Sequence, residues 1–198
     1  MAVYKASNSG LLTRREYTSF LAGNSQFIPW APTGAYDSIA TITPYTTTTT
    51  VVFSSIPSTY THLQVRWACF NSASRTDLKL QFNGDSSSVY AFHQLYGDGS
   101  AAGASALTTQ ARGFTGVGGD TSIPGVGILD VLDYTSTTKN KTARALAGAD
   151  MNGSGFLSMR SNLYFPSTIG AITSITISPD SGTFGSNSHF ALYGIKGA

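Results

Sequence analysis

Beyond residue 35, large apolar side chains occupy every second position in several stretches of the chain. Residues 62–70 and 78–83 are the clearest, because polar or small residues fill the positions between the apolar ones. Successive side chains of a β-strand point to opposite faces, so this period predicts half-buried strands. We expect the following side chains to face a core: Leu63, Val65, Trp67, Cys69, Leu78, Leu80 and Phe82.

The same reasoning predicts about ten strands and no interleaved helices, the pattern of an all-β, jelly-roll-like antiparallel β-sandwich over residues 36–198. Asn83-Gly84 predicts a tight hairpin turn that returns the chain along residues 89–96. Residues 97–125, rich in Gly, Ala, Ser and Thr, predict a long mobile loop with one short strand. The other expected strands lie near residues 38–42, 48–53, 108–114, 127–133 with its partner 142–149, 156–165, 171–178 and 189–195.

Residues 1–35 differ in character and are expected to form an N-terminal arm. Thr13 and Glu16 match a capping box, which predicts a short helix ending at Gly23-Asn24. Residues 27–32 are apolar, and two prolines there prevent pairing inside a sheet. The arm cannot bury its own apolar side chains, so we expect it to contact other molecules, with packing on its own sandwich as the alternative. The expected contact residues are Arg14, Arg15, Tyr17, Phe20, Leu21, Phe27, Ile28 and Trp30.

Composition argues against several classes of function. Charged residues make up 11% of the 198 residues and the net charge is +2 without a basic run, so we do not expect nucleic-acid binding. No apolar run reaches the roughly 18 residues of a membrane helix, and the N-terminus lacks the apolar segment of a secretion signal. We expect a soluble protein of a reducing cytoplasm, in which the single cysteine, Cys69, is a core residue rather than a reactive thiol.

Acidic residues offer two candidate sites, and both are incomplete. Residues 150–155 match the first half of a calcium loop, but the twelfth position is Ser161 instead of a bidentate carboxylate. A polar hairpin turn is the expected structure there. Asp130 and Asp133 are three residues apart on an expected strand, which places them on opposite faces and is poor geometry for a catalytic pair.

The remaining candidates favour structural roles, so we expect no catalytic residue, metal site or cofactor. His62, His93 and His189 lie inside expected strands, and no serine occupies a Gly-x-Ser-x-Gly elbow. The glycine-rich residues 116–120 lack the lysine of a phosphate loop and are interpreted as a flexible loop. Several aromatic residues could stack on sugars, although filling a core or a subunit interface is their expected role: Tyr90, Phe92, Tyr96, Tyr134 and Tyr164.

A series of short phrases occurs in order along residues 36–196. They are YDSIA (36–40), IPSTYTHL (56–63), FNGD (82–85), LYGDG (95–99), LDY (132–134), NKT (140–142) and SHFALYGIK (188–196). In content and order they resemble a group of small β-sandwich structural proteins from the virions of tailed bacteriophages, marine and cyanobacterial ones in particular. The phrases consist of strand and turn residues, and the resemblance supplies no catalytic residues.

The resemblance implies a non-enzymatic virion component, assembled in the host cytoplasm and placed on the capsid or the tail. We expect a capsid decoration or cement protein that binds the major capsid protein or other virion proteins, because the chain lacks the heptads or β-helix repeats of a fibre. A homo-oligomer is expected, with a trimer favoured. The alternative is a tail-associated, receptor-side module that binds host glycans.

Overall fold

A computed structural model describes residues 4–6, 10–12 and 35–197, and every regular element in these ranges is a β-strand. The strands are β1 (Tyr4–Ala6), β2 (Gly10–Leu12), β3 (Tyr36–Ile42), β4 (Val51–Phe53), β5 (His62–Cys69), β6 (Thr76–Phe82), β7 (Tyr90–Gly97), β8 (Ala102–Gln110), β9 (Gly113–Gly118), β10 (Gly125–Val131), β11 (Lys141–Asp150), β12 (Gly155–Tyr164), β13 (Ile175–Pro179) and β14 (His189–Ile195). β4 and β13 are shorter than the sequence predicts. Within the described ranges, no helix is long and apolar enough to cross a membrane.

The chain divides after residue 34 into two units, which are described separately. In the first unit, β1 and β2 form a two-stranded antiparallel sheet in which Tyr4 is paired with Leu12. The predicted helix after Thr13 lies outside the described residues. The same holds for all the expected arm contacts, Arg14, Arg15, Tyr17, Phe20, Leu21, Phe27, Ile28 and Trp30.

The second unit is a sandwich of two antiparallel sheets, which confirms the predicted fold class. The larger sheet has eight strands in the order β3-β14-β5-β10-β11-β12-β7-β8, and the smaller has four in the order β4-β13-β6-β9. β10 and β11 pair directly, as predicted for these two stretches. The smaller sheet covers the inner face of the larger one, with β9 packed on β10, β11 and β12. We call the opposite side of the larger sheet its outer face.

The core lies between the two sheets and contains the side chains that the alternation predicts. The exposed fraction is 4% or less for every predicted inward residue, namely Leu63, Val65, Trp67, Cys69, Leu78, Leu80 and Phe82. Burial raises the pKa of the Cys69 thiol to about 12. The thiol therefore stays protonated at neutral pH, and the predicted core role of this cysteine is confirmed.

Two glycines make room for the Trp67 indole between the sheets. Gly127 on β10 is the cross-strand partner of Trp67, and a β-carbon at Gly127 would lie 2.2 Å from the indole. Gly116 on β9 faces the indole from the smaller sheet, where a β-carbon would lie 3.0 Å from the indole and 2.3 Å from Ala147. The interpretation of residues 116–120 as a flexible loop is therefore wrong, because most of this segment is a buried strand whose glycines permit close packing.

Residues 97–125 contain two strands instead of a long loop with one short strand. β8 returns antiparallel to β7 in the larger sheet, and β9 then pairs with β6 in the smaller sheet. The hydrophobic period missed β8 because it is an edge strand with mostly exposed side chains, where Ala, Ser and Thr suffice. It missed β9 because glycines that leave space for facing core residues have no apolar side chain of their own.

The turn at Asn83-Gly84 exists, but the hairpin predicted around it is wrong. Both residues have positive φ (54° and 68°), as expected for a tight two-residue turn. β6 nevertheless pairs with β13 and β9, whereas β7 pairs with β12 and β8 in the other sheet. Tyr90 at the start of β7 stabilises this crossing, because its buried hydroxyl accepts a hydrogen bond from the Phe82 N–H at 2.9 Å.

Candidate functional site

The outer face of the larger sheet carries a patch of exposed apolar side chains. They lie on four adjacent strands in the middle of the sheet, yet their exposed fractions range from 38% to 59%. Soluble monomers rarely expose a large contiguous apolar surface, so a surface of this kind indicates an interaction site. The apolar patch comprises Leu95, Val126, Ile128, Leu146, Leu157 and Met159.

Strand register makes the apolar patch continuous. One row crosses β10, β11, β12 and β7 in the order Ile128, Leu146, Met159 and Leu95. Val126 and Leu157 lie two residues further along their strands and therefore point to the same face. Directly paired side chains on one face of a sheet are about 5 Å apart, so these six form one surface rather than separate exposures.

Strand β12 reverses the usual arrangement of a sandwich strand, with polar side chains inside and apolar ones outside. Ser158, Arg160 and Asn162 are buried, whereas the apolar-patch residues between them are exposed. The smaller sheet provides partners for two of the inner groups. Asn162 accepts from the N–H of Phe114 and donates to its carbonyl, both at 2.9 Å, and Arg160 donates to Asp77 at 2.7 Å. Alternation alone would place the apolar side of β12 inward, so it could not identify the apolar patch.

A hydrogen-bonded polar rim borders the apolar patch on the side of β5. Asp130 accepts from Gln64 Nε2 at 2.8 Å and pairs with the Arg144 guanidinium at 3.2 Å. Arg66 donates from Nε to Gln64 Oε1 at 2.7 Å, and its guanidinium carbon lies 5.5 Å from the centre of the Tyr193 ring. An apolar centre with a polar rim is the common anatomy of a protein–protein interface.

The acidic residues at one end of the sandwich accept hydrogen bonds from backbone N–H groups of their own turns. The segment considered as a calcium loop forms the hairpin turn between β11 and β12, which confirms the expected turn, and Asp150 accepts from the Asn152 N–H at 3.0 Å. This turn borders an open cleft of about 1290 Å³. Across the cleft, hydrogen bonds from the N–H groups of Ala101 and Ser100 lower the pKa of Asp98 to about 2. Within the described ranges, no three His, Cys, Asp or Glu side chains are grouped closely enough to hold a metal ion.

All three histidines lie in strands, as predicted, on β5, β7 and β14. His62 Nδ1 accepts a hydrogen bond from the Asp133 N–H at 3.0 Å. Asp133 lies beyond the end of β10 in a turn with φ of 48°, so its expected placement on the strand with Asp130 is wrong. Hydrogen bonding and charge from Lys139, at 3.1 Å, lower the pKa of the Asp133 carboxyl. This group is therefore an ionised partner of a lysine at neutral pH rather than a proton donor.

The aromatic side chains considered for sugar stacking are mostly core residues. Tyr96 is half-buried, and its ring is engaged by Phe156, stacked at 5.3 Å, and by Gly103, where a β-carbon would lie 2.5 Å away. The others are exposed by 6% or less, which confirms the expected core role for Tyr90, Phe92, Tyr134 and Tyr164. These five residues do not form an open aromatic platform.

An ion pair between the buried Arg160 and the partly exposed Asp77 connects the two sheets beside a cavity of about 470 Å³. Arg160 on β12 is 2% exposed, and its Nη2 lies 2.7 Å from Asp77 Oδ1 on β6. Arg160 Nε and Nη1, Gln94 Oε1 and Ser158 Oγ have no hydrogen-bond partner within the described protein. The two charges neutralise each other, so we interpret the pair as a connection between sheets rather than a catalytic acid and base.

Comparison with protein-family models, with curated proteins and with solved structures gives no match to this chain. The surfaces of the described residues are therefore the observations that bear on function. Among those surfaces, the apolar patch stands out because large apolar side chains on four adjacent strands remain in contact with water.

Proposed function

We propose that this chain is a structural protein of a bacteriophage virion that binds the capsid lattice as a decoration or cement protein. The observation that carries the proposal is the apolar patch, which extends over four adjacent strands of the larger sheet. The virion setting comes from the sequence resemblance. The apolar patch supports an assembly role because it is a surface that another protein can cover.

The area of the apolar patch suits a stable interface. Six half-exposed side chains of this size leave roughly 600 Å² of apolar surface in water, at the upper end of what monomers expose. A standard interface buries about 800 Å² on each partner, which the apolar patch and part of its polar rim together provide. Burying roughly 600 Å² contributes about 15 kcal/mol before the costs of association are subtracted.

The polar rim indicates the chemistry of the partner. The Arg144 side chain is 70% exposed although it is paired with Asp130, and Arg66 on the neighbouring row is also exposed. Guanidinium groups offer several donors and bind carboxylates well. The partner surface that fits best is therefore apolar at its centre and acidic where it meets these two arginines.

Two further predictions accompany this proposal. Residues 1–35 are expected to provide a second attachment to the particle, and the protein is expected to be a homo-oligomer. Deleting residues 1–30 is expected to leave a folded sandwich that no longer joins the particle. Normal occupancy of the truncated protein on particles would show that the arm is not the anchor.

Immunogold labelling tests the virion assignment. An antibody raised against the purified chain is applied to particles from the source culture, and the position of the gold is scored by electron microscopy. Gold distributed over capsids is the expected result. Gold confined to tails would replace the capsid assignment with the tail-associated alternative, and unlabelled particles would overturn the virion assignment altogether.

A pair of matched variants tests the apolar patch. Leu146→Lys places a charge at the centre of the patch, at a residue that is 54% exposed. Val52→Lys is the control, because Val52 is 47% exposed on the smaller sheet, outside the patch. We expect both variants to fold and only Leu146→Lys to lose particle occupancy, by at least tenfold. Equal occupancy of the two variants would exclude the patch as the contact.

A further inference from the structure

The two sheets of the sandwich have four edge strands, and three of them are protected against pairing with another chain. β4 has only three residues, and β9 is buried against the larger sheet. β3 carries a register irregularity opposite Leu192 and Tyr193, together with an ion pair between Asp37 and Lys196 at 2.7 Å. Shortness, coverage, bulges and charges are the usual means by which proteins block edge-to-edge association.

The fourth edge, β8, has none of these protections over most of its length. Its nine residues, AGASALTTQ, include no charge and no proline, and almost all of them are exposed. In the described part of the chain it pairs on one side only, with β7. Its other side therefore offers a row of backbone N–H and C=O groups to a further strand. The pairing irregularity with β7 falls after Leu107, which leaves residues 102–107 in regular register.

We propose that β8 pairs antiparallel with β8 of a second copy of this chain, forming a continuous sixteen-stranded sheet. An antiparallel pair of identical strands has a two-fold axis perpendicular to the sheet, so each residue of one copy meets a residue of the other that points to the same face. Pairing of residues 102–107 places Ala104 opposite Ala104 or Ala106 of the second copy. Uncharged, small side chains at these positions allow the two strands to approach to the usual spacing of about 4.8 Å.

The geometry also brings the two apolar patches to the same side of the dimer. Leu95 of the patch is the cross-strand partner of Ala104, so it lies one strand away from the new contact. The strand contact is about 20 Å long for six residues, which is at the small end for protein interfaces. We therefore expect a weak dimer, with a dissociation constant in the micromolar range.

Charge variants of β8 test this inference with the full chain. One variant carries Ala104→Lys and Ala106→Lys, a second carries Ala104→Glu and Ala106→Glu, and Ser161→Lys is the control on the same face of a central strand. Mass is measured by sedimentation from about 1 to 100 µM, a range that brackets micromolar dissociation. The wild type and Ser161→Lys are expected to form dimers as concentration rises. Each double variant alone is expected to remain monomeric, and an equimolar mixture of the two is expected to form dimers.

Restored dimers in the mixture would establish the contact at β8, because misfolding cannot be rescued by an equally altered partner. A wild type that stays monomeric to 100 µM, that forms trimers, or whose dimers tolerate both double variants would overturn the inference. The result is independent of the capsid proposal, because a chain that is monomeric in solution could still label particles, and a dimer could fail to label them.

Discussion

Replacing Gly127 by alanine is expected to destabilise the sandwich by about 2 kcal/mol, because the added methyl group overlaps the Trp67 indole. The new β-carbon would lie 2.2 Å from one indole atom and 2.7 Å from two others, whereas ordinary contacts begin near 3.4 Å. The indole would have to move by about 1 Å to restore ordinary contact. It has little room to do so, since it is 4% exposed, faces Gly116 on the other sheet, and donates from its N–H to the Val117 carbonyl at 3.4 Å.

The expected value combines two opposing contributions. Overpacking of a close-packed core costs about 1–3 kcal/mol, and alanine regains up to about 1 kcal/mol over glycine in a strand. Gly97→Ala measures the gain from alanine without overpacking, because the nearest atom to a β-carbon at Gly97 is the Ala101 carbonyl oxygen at 3.8 Å. We expect the free energy of unfolding of that control to equal that of wild type or to exceed it by up to about 1 kcal/mol.

Urea unfolding followed by circular dichroism measures both variants under identical conditions. Combining Gly127→Ala with Trp67→Leu adds a second test, since the smaller side chain removes the overlap. The cost of the double variant should then be lower than the sum of the single costs by more than about 1 kcal/mol. Overlap with the Trp67 indole is refuted as the cause if Gly127→Ala is as stable as Gly97→Ala, or if the costs of Gly127→Ala and Trp67→Leu simply add.

The buried polar and ionisable groups should also respond measurably to substitution or to a change of pH. Asp77→Asn leaves the Arg160 charge unpaired and should lower the free energy of unfolding, measured by urea titration, by about 2–3 kcal/mol. Arg160→Met removes the charge itself and should cost less, so the reverse order would contradict the role of the ion pair. Asn162→Ala leaves the Phe114 N–H and carbonyl without their partner and should lower the free energy of unfolding by about 2–4 kcal/mol, whereas a loss under 0.5 kcal/mol would show that these bonds are dispensable. Burial raises the pKa of Cys69 from 9.0 to about 12 and that of Tyr164 from 10.0 to about 12, so the folded state keeps protons that the unfolded chain releases. The urea midpoint should therefore be constant between about pH 7 and 9 and fall between about pH 9 and 12, with a later onset in Cys69→Ala. A midpoint that does not fall in that range would refute this.

The sequence was a good guide wherever one face of a strand is apolar and the other polar. Strand β5 shows this best, because Leu63, Val65, Trp67 and Cys69 are large or sulfur-containing and all point inward. The orientation of such a strand can be predicted from its own residues alone, since burial of one face determines its register. The all-β sandwich followed from several strands of this kind separated by turn residues.

Prediction failed where the pairing or the burial of a strand depends on the residues that face it rather than on its own sequence. The Asn83-Gly84 turn has the backbone geometry expected of a hairpin, but the pairing of β6 with β13 depends on residues almost a hundred positions away. β9 is buried although half of its residues are glycine, because Trp67 and Ala147 on the facing sheet fill the space above it. Local alternation contains no information about such long-range complementarity.

The apolar patch was missed for the same reason, and the cause connects the core to the proposed function. β9 is an edge strand, and Asn162 bonds both backbone groups of Phe114 at that edge, so the inner side of β12 must be polar there. Leu157 and Met159 must then face outward, because they alternate along β12 with these inward-facing polar residues.

An outward position does not need to be apolar for the sandwich to fold, since serine or lysine would suit a solvated strand surface equally well. Substituting lysine in the apolar patch should therefore leave the free energy of unfolding nearly unchanged, in contrast to the losses expected at Gly127 and Asn162. If Leu146→Lys unfolds the sandwich, the patch is part of the fold rather than a binding surface. If it leaves stability intact and removes the protein from its particle, the apolar side chains serve the contact.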